Sequence, residues 1–443
     1  MHRLYATYKD PVIRLIRKIA VQDWLILIPF VLLSLKVRLN YYFFLASPGQ
    51  SFPTSDDSKW YLAYAQKLIE GKGIGTGMND LMYLGYNLLL TLLMYLFKDP
   101  VKVLFIQALV AGLSVILVYH IARLLFNRLT AIIATYLFCY ETWAITLWST
   151  YILADSFFIS LLLLCVYLML KWRETGKRLH MAAFIASAVY LALFKPTGIM
   201  ALAFMGLYLI INLRKGVLGA FVKKRWLPLA GGAAAIVAIE LVLLLAGKLD
   251  TLIASMQLNA KMVLYNIYAK GWVFDRASAF DHPFKPNYDI DVLNSLVVSF
   301  IVNNWDHVSV LYMKRMVAFL GRWAIQTDLT TIRGIAKFGI NMIPTGLFLF
   351  GIAAAAWNGL FRKASIIWLL VLAVLSFCIV FFIDSMYRYK APAVPFIVIG
   401  VAYGADSAFR LLWFLAKTTV RKLLSLRERG KSSYAPGGLA EER

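Results

Sequence analysis

The chain has 443 residues, of which 61% are hydrophobic and only 16% are charged. Apolar blocks of about twenty residues recur along it, which is the length a helix needs to cross a bilayer. This composition excludes a soluble globular protein and predicts an all-α polytopic membrane protein. The formal net charge of +23 does not point to nucleic acid, because Lys and Arg fall mainly between the apolar blocks, as in cytoplasmic loops.

Basic residues at the N-terminus place residues 1–23 in the cytoplasm, so the first apolar block, Trp24 to Leu45, exits outward as a retained span. Residues 24–247 are predicted to form a transmembrane module whose first external loop, 46–100, carries the candidate site. An external loop domain (248–334), the last spans (335–413) and a cytoplasmic tail (414–443) are expected to follow.

The pattern predicts about ten transmembrane helices and interfacial helices in the first external loop. The apolar piece from Leu84 to Phe97 is too short to span, and reading it as a surface helix lets every later basic loop face inside. The predicted spans are residues 24–45, 101–122, 129–148, 153–171, 180–194, 197–213, 227–247, 336–357, 364–384 and 391–413.

Two adjacent carboxylates, Asp56 and Asp57, open the first external loop. Trp60, Tyr64 and Leu68 follow at a spacing of four, which indicates a helix lying along the membrane interface. The carboxylates would then stand where lipid head groups meet water. The alternative is that they only cap this helix.

Other ionisable residues fall on the same predicted outer side, where such groups commonly line a polar cavity. Two of them are Asp155 and Lys195, and each has a simpler explanation. Asp155 could cap the fourth span, and Lys195 could extend to the lipid head groups. The remaining members of this set are Asp80, Lys36, Arg38 and Arg388. His282 and His307 are predicted to be ordinary loop histidines rather than metal ligands, and the cysteines Cys139, Cys165 and Cys378 to be inert packing residues.

Several motifs resemble those of GT-C membrane glycosyltransferases. Asp57-Ser58-Lys59-Trp60-Tyr61 is similar to their first external loop, and Tyr83-Leu84-Gly85-Tyr86 to their Pro-x-Gly-Tyr segment without its proline. Tyr151-Ile152-Leu153-Ala154-Asp155 resembles their second acidic loop, with Asp in place of the commoner Glu. Arg388-Tyr389 with Pro392 and Pro395 resembles the Arg-Tyr-x-x-Pro-x-x-Pro segment with which these enzymes end. Bacterial relatives of protein mannosyltransferases and of lipid A aminoarabinose transferases form the most similar branch.

The resemblance implies an inverting enzyme of the bacterial plasma membrane. It would transfer a hexose or pentose from a polyprenyl-phosphate donor to a glycan, lipid or protein acceptor on the outer face. Asp57 is the expected base, Asp56 its substitute, and Arg388, Lys195 and Arg38 would bind the lipid phosphate. Asp80 and Asp155 would orient the sugar or acceptor, or hold a divalent cation if one is used, although the reaction does not require it.

The aromatic residues of the same motifs, Tyr61, Tyr86 and Tyr389, are expected to line the substrate site. Two other classes of function remain open at this point. A flippase or transporter of lipid-linked glycans would also have cationic residues along the path of its substrate. In such a protein, however, we expect charged residues within the transmembrane spans. A glycan polymerase or ligase would carry external arginines without the Asp57 motif.

Overall fold

A computed structural model describes residues 23–213, 217–274, 277–321, 328–380 and 388–432. The predicted cytoplasmic lead (1–22), the loop residues 384–387 and the end of the tail lie outside these ranges. Within them, every regular element is a helix, which confirms the all-α prediction. The α-helices are α1 (Asp23–Leu45), α2 (Asp56–Ile69), α3 (Met78–Met82), α4 (Leu84–Phe97), α5 (Pro100–Leu113), α6 (Val115–Leu125), α7 (Arg128–Cys139), α8 (Ala154–Thr175), α9 (Arg178–Phe194), α10 (Pro196–Ile211), α11 (Val217–Leu245), α12 (Asp250–Val263), α13 (Leu296–Asn303), α14 (Trp305–Leu320), α15 (Ile332–Trp357), α16 (Phe361–Val380) and α17 (Val394–Ser432).

Six helical segments in the described residues are long and apolar enough to cross a membrane, or seven if one bent pair is counted as a span. The helices α4, α9 and α10 are apolar but shorter. The predicted count of about ten spans is therefore not confirmed, while the apolar helices themselves indicate an integral membrane protein. The six segments are Asp23–Leu45, Pro100–Leu125, Ala154–Thr175, Ile332–Trp357, Phe361–Ile379 and Ala391–Lys422.

The start of α4 and the first turn of the following helix α5 contact the ends of α9 and α1. At the start of α4, the Gly85 carbonyl accepts a hydrogen bond of 3.0 Å from Tyr190, one turn before the end of α9. Just beyond its other end, the Val101 carbonyl accepts a bond of 3.2 Å from Tyr42, near the end of α1. Residues 84–97 thus form a single short helix, and its place along the membrane surface stays a prediction.

The predicted span 129–148 is bent. Helix α7 ends at Cys139 and is followed by a π-helical turn and a 3₁₀ turn that together bend by 64° from it. The fully buried Arg38 of α1 donates to the carbonyls of Phe138 and Cys139 at 2.8 and 2.6 Å. Carbonyls in the last turn of a helix lack their regular intrahelical partner, so Arg38 stabilises the point where α7 stops.

The other end of these helices is held by polar contacts among described residues. Asp23, at the start of α1, accepts hydrogen bonds from Tyr119 at 2.9 Å and Arg128 at 2.5 Å. Asp406 of α17 accepts from Asn127 at 2.7 Å and from Thr130 at 2.9 Å. With α1, α7 and α17 tied together here, the loops at the opposite ends of the helices are brought together.

Part of the predicted external domain has a hydrophobic cluster of its own. Several hydrogen bonds among the described residues connect this part of the chain to the rest of the bundle. Among them, the Met78 amide donates to Ser255 at 2.8 Å, and the Tyr268 hydroxyl to the Ile379 carbonyl at 3.2 Å. The fully or nearly buried members of the cluster are Leu264, Tyr268, Val273, Phe274, Phe300, Val308, Leu311 and Ala318.

Candidate active site

Helix α2 places Asp57 in its first turn. Ser55 is the N-cap of this helix, because its hydroxyl accepts a hydrogen bond from the Ser58 amide at 3.1 Å. Capping therefore does not explain the two aspartates. The Asp57 carboxylate accepts a bond of 2.6 Å from Nη1 of Arg388, and its side chain is 52% exposed. The positive end of the helix dipole favours a carboxylate at this position.

Asp155 is a buried carboxylate with two cationic partners. Leu153 is the N-cap of α8, and Asp155 follows in the first turn with no exposed surface. Its oxygens accept hydrogen bonds from Nζ of Lys195 and, at 2.9 Å, from Nε of Arg388. Lys195, between α9 and α10, is only 1% exposed, so neither the capping nor the head-group interpretation holds for this pair. Buried charges are tolerated when they are paired in this way.

Arg388 lies in the turn before α17 and joins the two aspartates. Burial alone would lower the pKa of its guanidinium, but the nearby carboxylates, Asp155 first, raise it well above the ordinary value. Lys195 and Arg388 also lie 4.9 and 5.3 Å from the centre of the Tyr389 ring. Four charged groups thus form a row in the order Lys195, Asp155, Arg388, Asp57, which we call the ion-pair row.

An aromatic cluster packs beside the ion-pair row. The Tyr61 ring contacts those of Tyr86 and Tyr83, with centroids 4.8 and 5.7 Å apart, and Tyr86 contacts Phe194 at 5.7 Å. Tyr61 and Tyr86 are 3% and 0% exposed. These two rings therefore pack against neighbouring side chains and have little surface with which to contact a substrate.

Sequence reasoning did not assign a role to Tyr83, although this residue opens the motif that contains Tyr86. Its side chain is half-buried and within electrostatic reach of Arg388, Asp155 and Asp57. Burial first, and then the neighbouring Tyr389 and the two aspartates, raise the pKa of its phenol. The hydroxyl therefore stays protonated and is able to donate a hydrogen bond at this site.

Three other predicted site residues have their contacts elsewhere. Asp56 is almost fully exposed and pairs with Lys59 at 3.1 Å. Asp80 accepts a bond of 2.9 Å from the Gly77 amide at the start of its own short helix α3. Arg38 is engaged with carbonyls at the end of α7. The structure therefore gives each of these side chains a local partner outside the ion-pair row.

The acidic residues do not form a cation site in the part of the chain that the structure describes. No group of three or more His, Cys, Asp or Glu side chains there could hold a metal ion. The carboxylates of Asp57 and Asp155 face arginine and lysine, which are poor neighbours for a divalent cation. Nε2 of His282 lies 3.2 Å from Nδ1 of His307, and the Phe284 ring stacks on the His307 ring.

A cavity of about 150 Å³ lies next to the turn that carries Arg388. Lys390 and Val394 contribute to it from that turn and from the start of α17, and Glu141 from the bend after α7. Apolar side chains make up most of the rest: Trp143, Ala144, Phe319, Leu320, Pro344, Phe348, Val371, Ile397 and Val398. The turn that carries Arg388 therefore contributes residues both to the charged site and to the mostly apolar cavity.

Residues 84–244 match a protein family described as dolichyl-phosphate-mannose-protein mannosyltransferase. This match covers about a third of the chain and agrees with the resemblance of its motifs to membrane glycosyltransferases of the GT-C type. No curated protein matches the chain at a significant level.

Solved structures with similarity to the chain include the archaeal oligosaccharyltransferase AglB from Archaeoglobus fulgidus in complex with an inhibitory peptide and a dolichol-phosphate. It is 14% identical, with a TM-score of 0.42, over 94% of this chain and 52% of that one. The oligosaccharyltransferase of the same organism tethered to an acceptor peptide containing the NVT sequon is 14% identical, with a TM-score of 0.45, over 88% and 50% of the two chains. The chain spans about half the length of these structures.

Proposed function

We propose that this chain is an inverting glycosyltransferase that moves a sugar from a polyprenyl-phosphate donor to an acceptor hydroxyl or amine at the outer face of a membrane. The bond of 2.6 Å between Asp57 and Arg388 carries the proposal, because it brings a half-exposed carboxylate and a phosphate-binding cation into one site. The match of residues 84–244 to protein mannosyltransferases supports the same class of reaction.

Asp57 would act as the general base. An acceptor hydroxyl is a weak nucleophile until a carboxylate within hydrogen-bond reach removes its proton. The acceptor oxygen then forms a bond to the anomeric carbon from the face opposite the phosphate. The bond between that carbon and the phosphate oxygen breaks, and its electron pair leaves with the lipid phosphate. The acceptor proton ends on Asp57, and the anomeric configuration is inverted.

Arg388 would bind the lipid phosphate and the charge that grows on it. Phosphate is an acidic leaving group, so cations can assist its departure without a protonating residue. Arginine suits this role because its planar end offers two parallel N–H donors. Asp155 and Lys195 would act through Arg388, since Asp155 holds Nε and Lys195 neutralises the remaining charge.

The adjacent cavity would take the first part of the donor's hydrocarbon chain. Its lining is mostly apolar, as binding of a polyprenyl chain requires, with Lys390 and Glu141 as its charged members. We further propose that the membrane is the bacterial plasma membrane and that the site faces the periplasm or cell exterior. None of the steps of this proposed reaction requires a metal ion.

Transfer assays on the two neighbouring aspartates test the proposal. Asp57→Asn should lower the turnover of a polyprenyl-phosphate sugar by at least about a hundredfold, because the base is lost. Asp56→Asn removes the same charge one residue earlier, at a side chain that contacts Lys59, and should keep most of the activity. Both variants must show wild-type yield and melting temperature in detergent. Near-normal transfer by Asp57→Asn would remove Asp57 as the base.

The same preparation separates the proposed enzyme from a transporter. A glycosyltransferase turns over lipid-linked sugar in detergent, where no membrane barrier exists. A flippase has no measurable transport under those conditions. A purified protein that produces no glycosylated acceptor with any lipid-linked sugar tested, while moving such lipids in vesicles, would contradict the proposed function.

A further inference from the structure

The two groups that the proposed reaction uses separately are bonded to each other. Nη1 of Arg388 lies 2.6 Å from the Asp57 carboxylate, so the expected base is engaged with the expected phosphate ligand. The Asp57 oxygen that accepts this bond has one lone pair fewer to offer to an acceptor hydroxyl. An arginine whose Nη end faces a carboxylate has fewer donors aimed at a phosphate.

Only one side of Arg388 is free to exchange its partner. Its Nε edge contacts Asp155, which has no exposed surface and is also held by Lys195, itself 1% exposed. Its Nη end contacts Asp57, whose side chain is 52% exposed and stands on the first turn of the interfacial helix α2. An entering anion can therefore displace Asp57 but not Asp155.

From this arrangement we propose that the donor phosphate replaces Asp57 on Arg388, and that this exchange releases Asp57 to serve as the base. The inference rests on the proposed function and adds an order to it: the lipid-linked donor binds first and makes the enzyme competent for the acceptor. Before donor binding, the charges of the ion-pair row cancel, so no buried charge is left unpaired.

The exchange has a favourable energy balance. A phosphate can accept two parallel N–H bonds from the Nη end of arginine, whereas Asp57 accepts one in this structure. Asp57 loses its partner at a half-exposed position, where water solvates the free carboxylate. The cost of release is therefore smaller than it would be at the sealed Asp155.

The exchange predicts that loss of Asp57 strengthens lipid phosphate binding. A polyprenyl monophosphate is the probe, titrated against purified protein in detergent with affinity measured by calorimetry. Asp57→Asn should bind it about five- to tenfold more tightly than wild type, since the competing carboxylate is gone. Glu70→Gln, which removes an exposed charge at the other end of the same helix, should bind it as wild type does.

A double variant shows whether the gain passes through Arg388. Arg388→Gln should weaken binding, and adding Asp57→Asn to it should give no further increase in affinity. Asp57→Ser repeats the measurement with a smaller side chain in case the Asn variant is poorly folded. Unchanged or weaker binding by both Asp57 variants, or an equal gain in the Arg388→Gln background, would overturn the exchange.

The outcome separates this inference from the proposed function. Loss of transfer by Asp57→Asn with unchanged lipid affinity would leave the function standing and reject the exchange. Tighter lipid binding with normal transfer would support the replacement of Asp57 by the phosphate but overturn its release as the base.

Discussion

Lys195 and Asp155 show how a single pair of residues supports the site without reaching a substrate. Both are almost completely buried, and Asp155 directs its second oxygen at Arg388. A buried ion pair adds little to stability compared with apolar residues, but removal of one partner leaves a charge that is costly to bury. The pair therefore constrains which substitutions the site tolerates.

We expect Lys195→Met to lower the free energy of unfolding by about 3 kcal/mol, because Asp155 loses one of its two partners. Combining it with Asp155→Asn should recover part of this loss while transfer stays low, since Arg388 is no longer held. Lys59→Met, at an exposed ion pair, should change stability by less than about 1 kcal/mol. Denaturant titrations in detergent measure these differences, and equal effects of Lys195→Met and Lys59→Met would contradict the buried role.

Tyr83 offers a test of a polar contact to substrate. Tyr83→Phe keeps the ring against Tyr61 but removes the hydroxyl beside the ion-pair row. We expect an unchanged melting temperature and a decrease in kcat of about tenfold, because one hydrogen bond to the reacting groups is lost. Tyr95→Phe, at a ring that is 64% exposed, is the matched control. A kcat equal to wild type would show that the Tyr83 hydroxyl takes no part.

At the scale of elements, the close approach of α9 and α10 positions Lys195 at the junction between them. Gly198, in the first turn of α10, permits this approach, because a Cβ there would lie 2.2 Å from the Leu191 carbonyl oxygen. That distance is far below van der Waals contact, so a larger residue must move backbone atoms. Gly206 in the same helix has no atom within 4 Å of a Cβ position.

Gly198→Ala should therefore destabilise the protein by about 1–3 kcal/mol and reduce transfer, as the junction and Lys195 shift. Gly206→Ala should be neutral or slightly stabilising, because alanine favours a helix more than glycine does. Melting temperatures and transfer rates of the two variants provide the comparison. If Gly198→Ala behaves as Gly206→Ala does, close packing at this junction does not set the position of Lys195.

At the scale of the whole molecule, sidedness decides whether the site faces outward. The structure ties Asp23, Arg128 and Asp406 together at one end of the bundle and the ion-pair row at the other. This is the arrangement that alternating spans and inward basic loops predict.

Cysteine labelling tests the orientation. In a variant without Cys139, Cys165 and Cys378, Ser55→Cys should react with a membrane-impermeant maleimide in intact cells or right-side-out vesicles. Lys177→Cys, in the connection after α8, should react only after permeabilisation. Lys177 is preferable to its neighbour Gly176, whose φ of +65° would strain a side chain. The reverse labelling pattern would place the site in the cytoplasm.

Much of the site could be predicted from the sequence because loops at alternate ends of spans must meet on one face. That argument correctly grouped Asp57, Asp155, Lys195 and Arg388, which are up to 331 positions apart. It could not separate them from Arg38 or Asp80. Those two residues find local partners, a helix end and a glycine amide, that depend on packing at distances of a few ångströms.

The fold was predictable to a similar degree. Apolar blocks identified most helices and the all-helical class, while the location of residues 84–97 along the surface stays a prediction. The bend after Cys139 was not predicted, although Glu141 and Thr142 interrupt the apolar pattern there, and a buried arginine on another helix stabilises the break. A composition window contains no information about such a contact.

The contrast in exposure between the two aspartates has a consequence for turnover. In the proposed reaction, the carboxylate that accepts the acceptor's hydrogen ion must lose it to the surroundings before another cycle can begin. Asp155 is sealed from solvent, whereas Asp57 is half open to it. Release of the proton from Asp57 would therefore have a direct route to bulk water, and no chain of internal proton carriers would be needed.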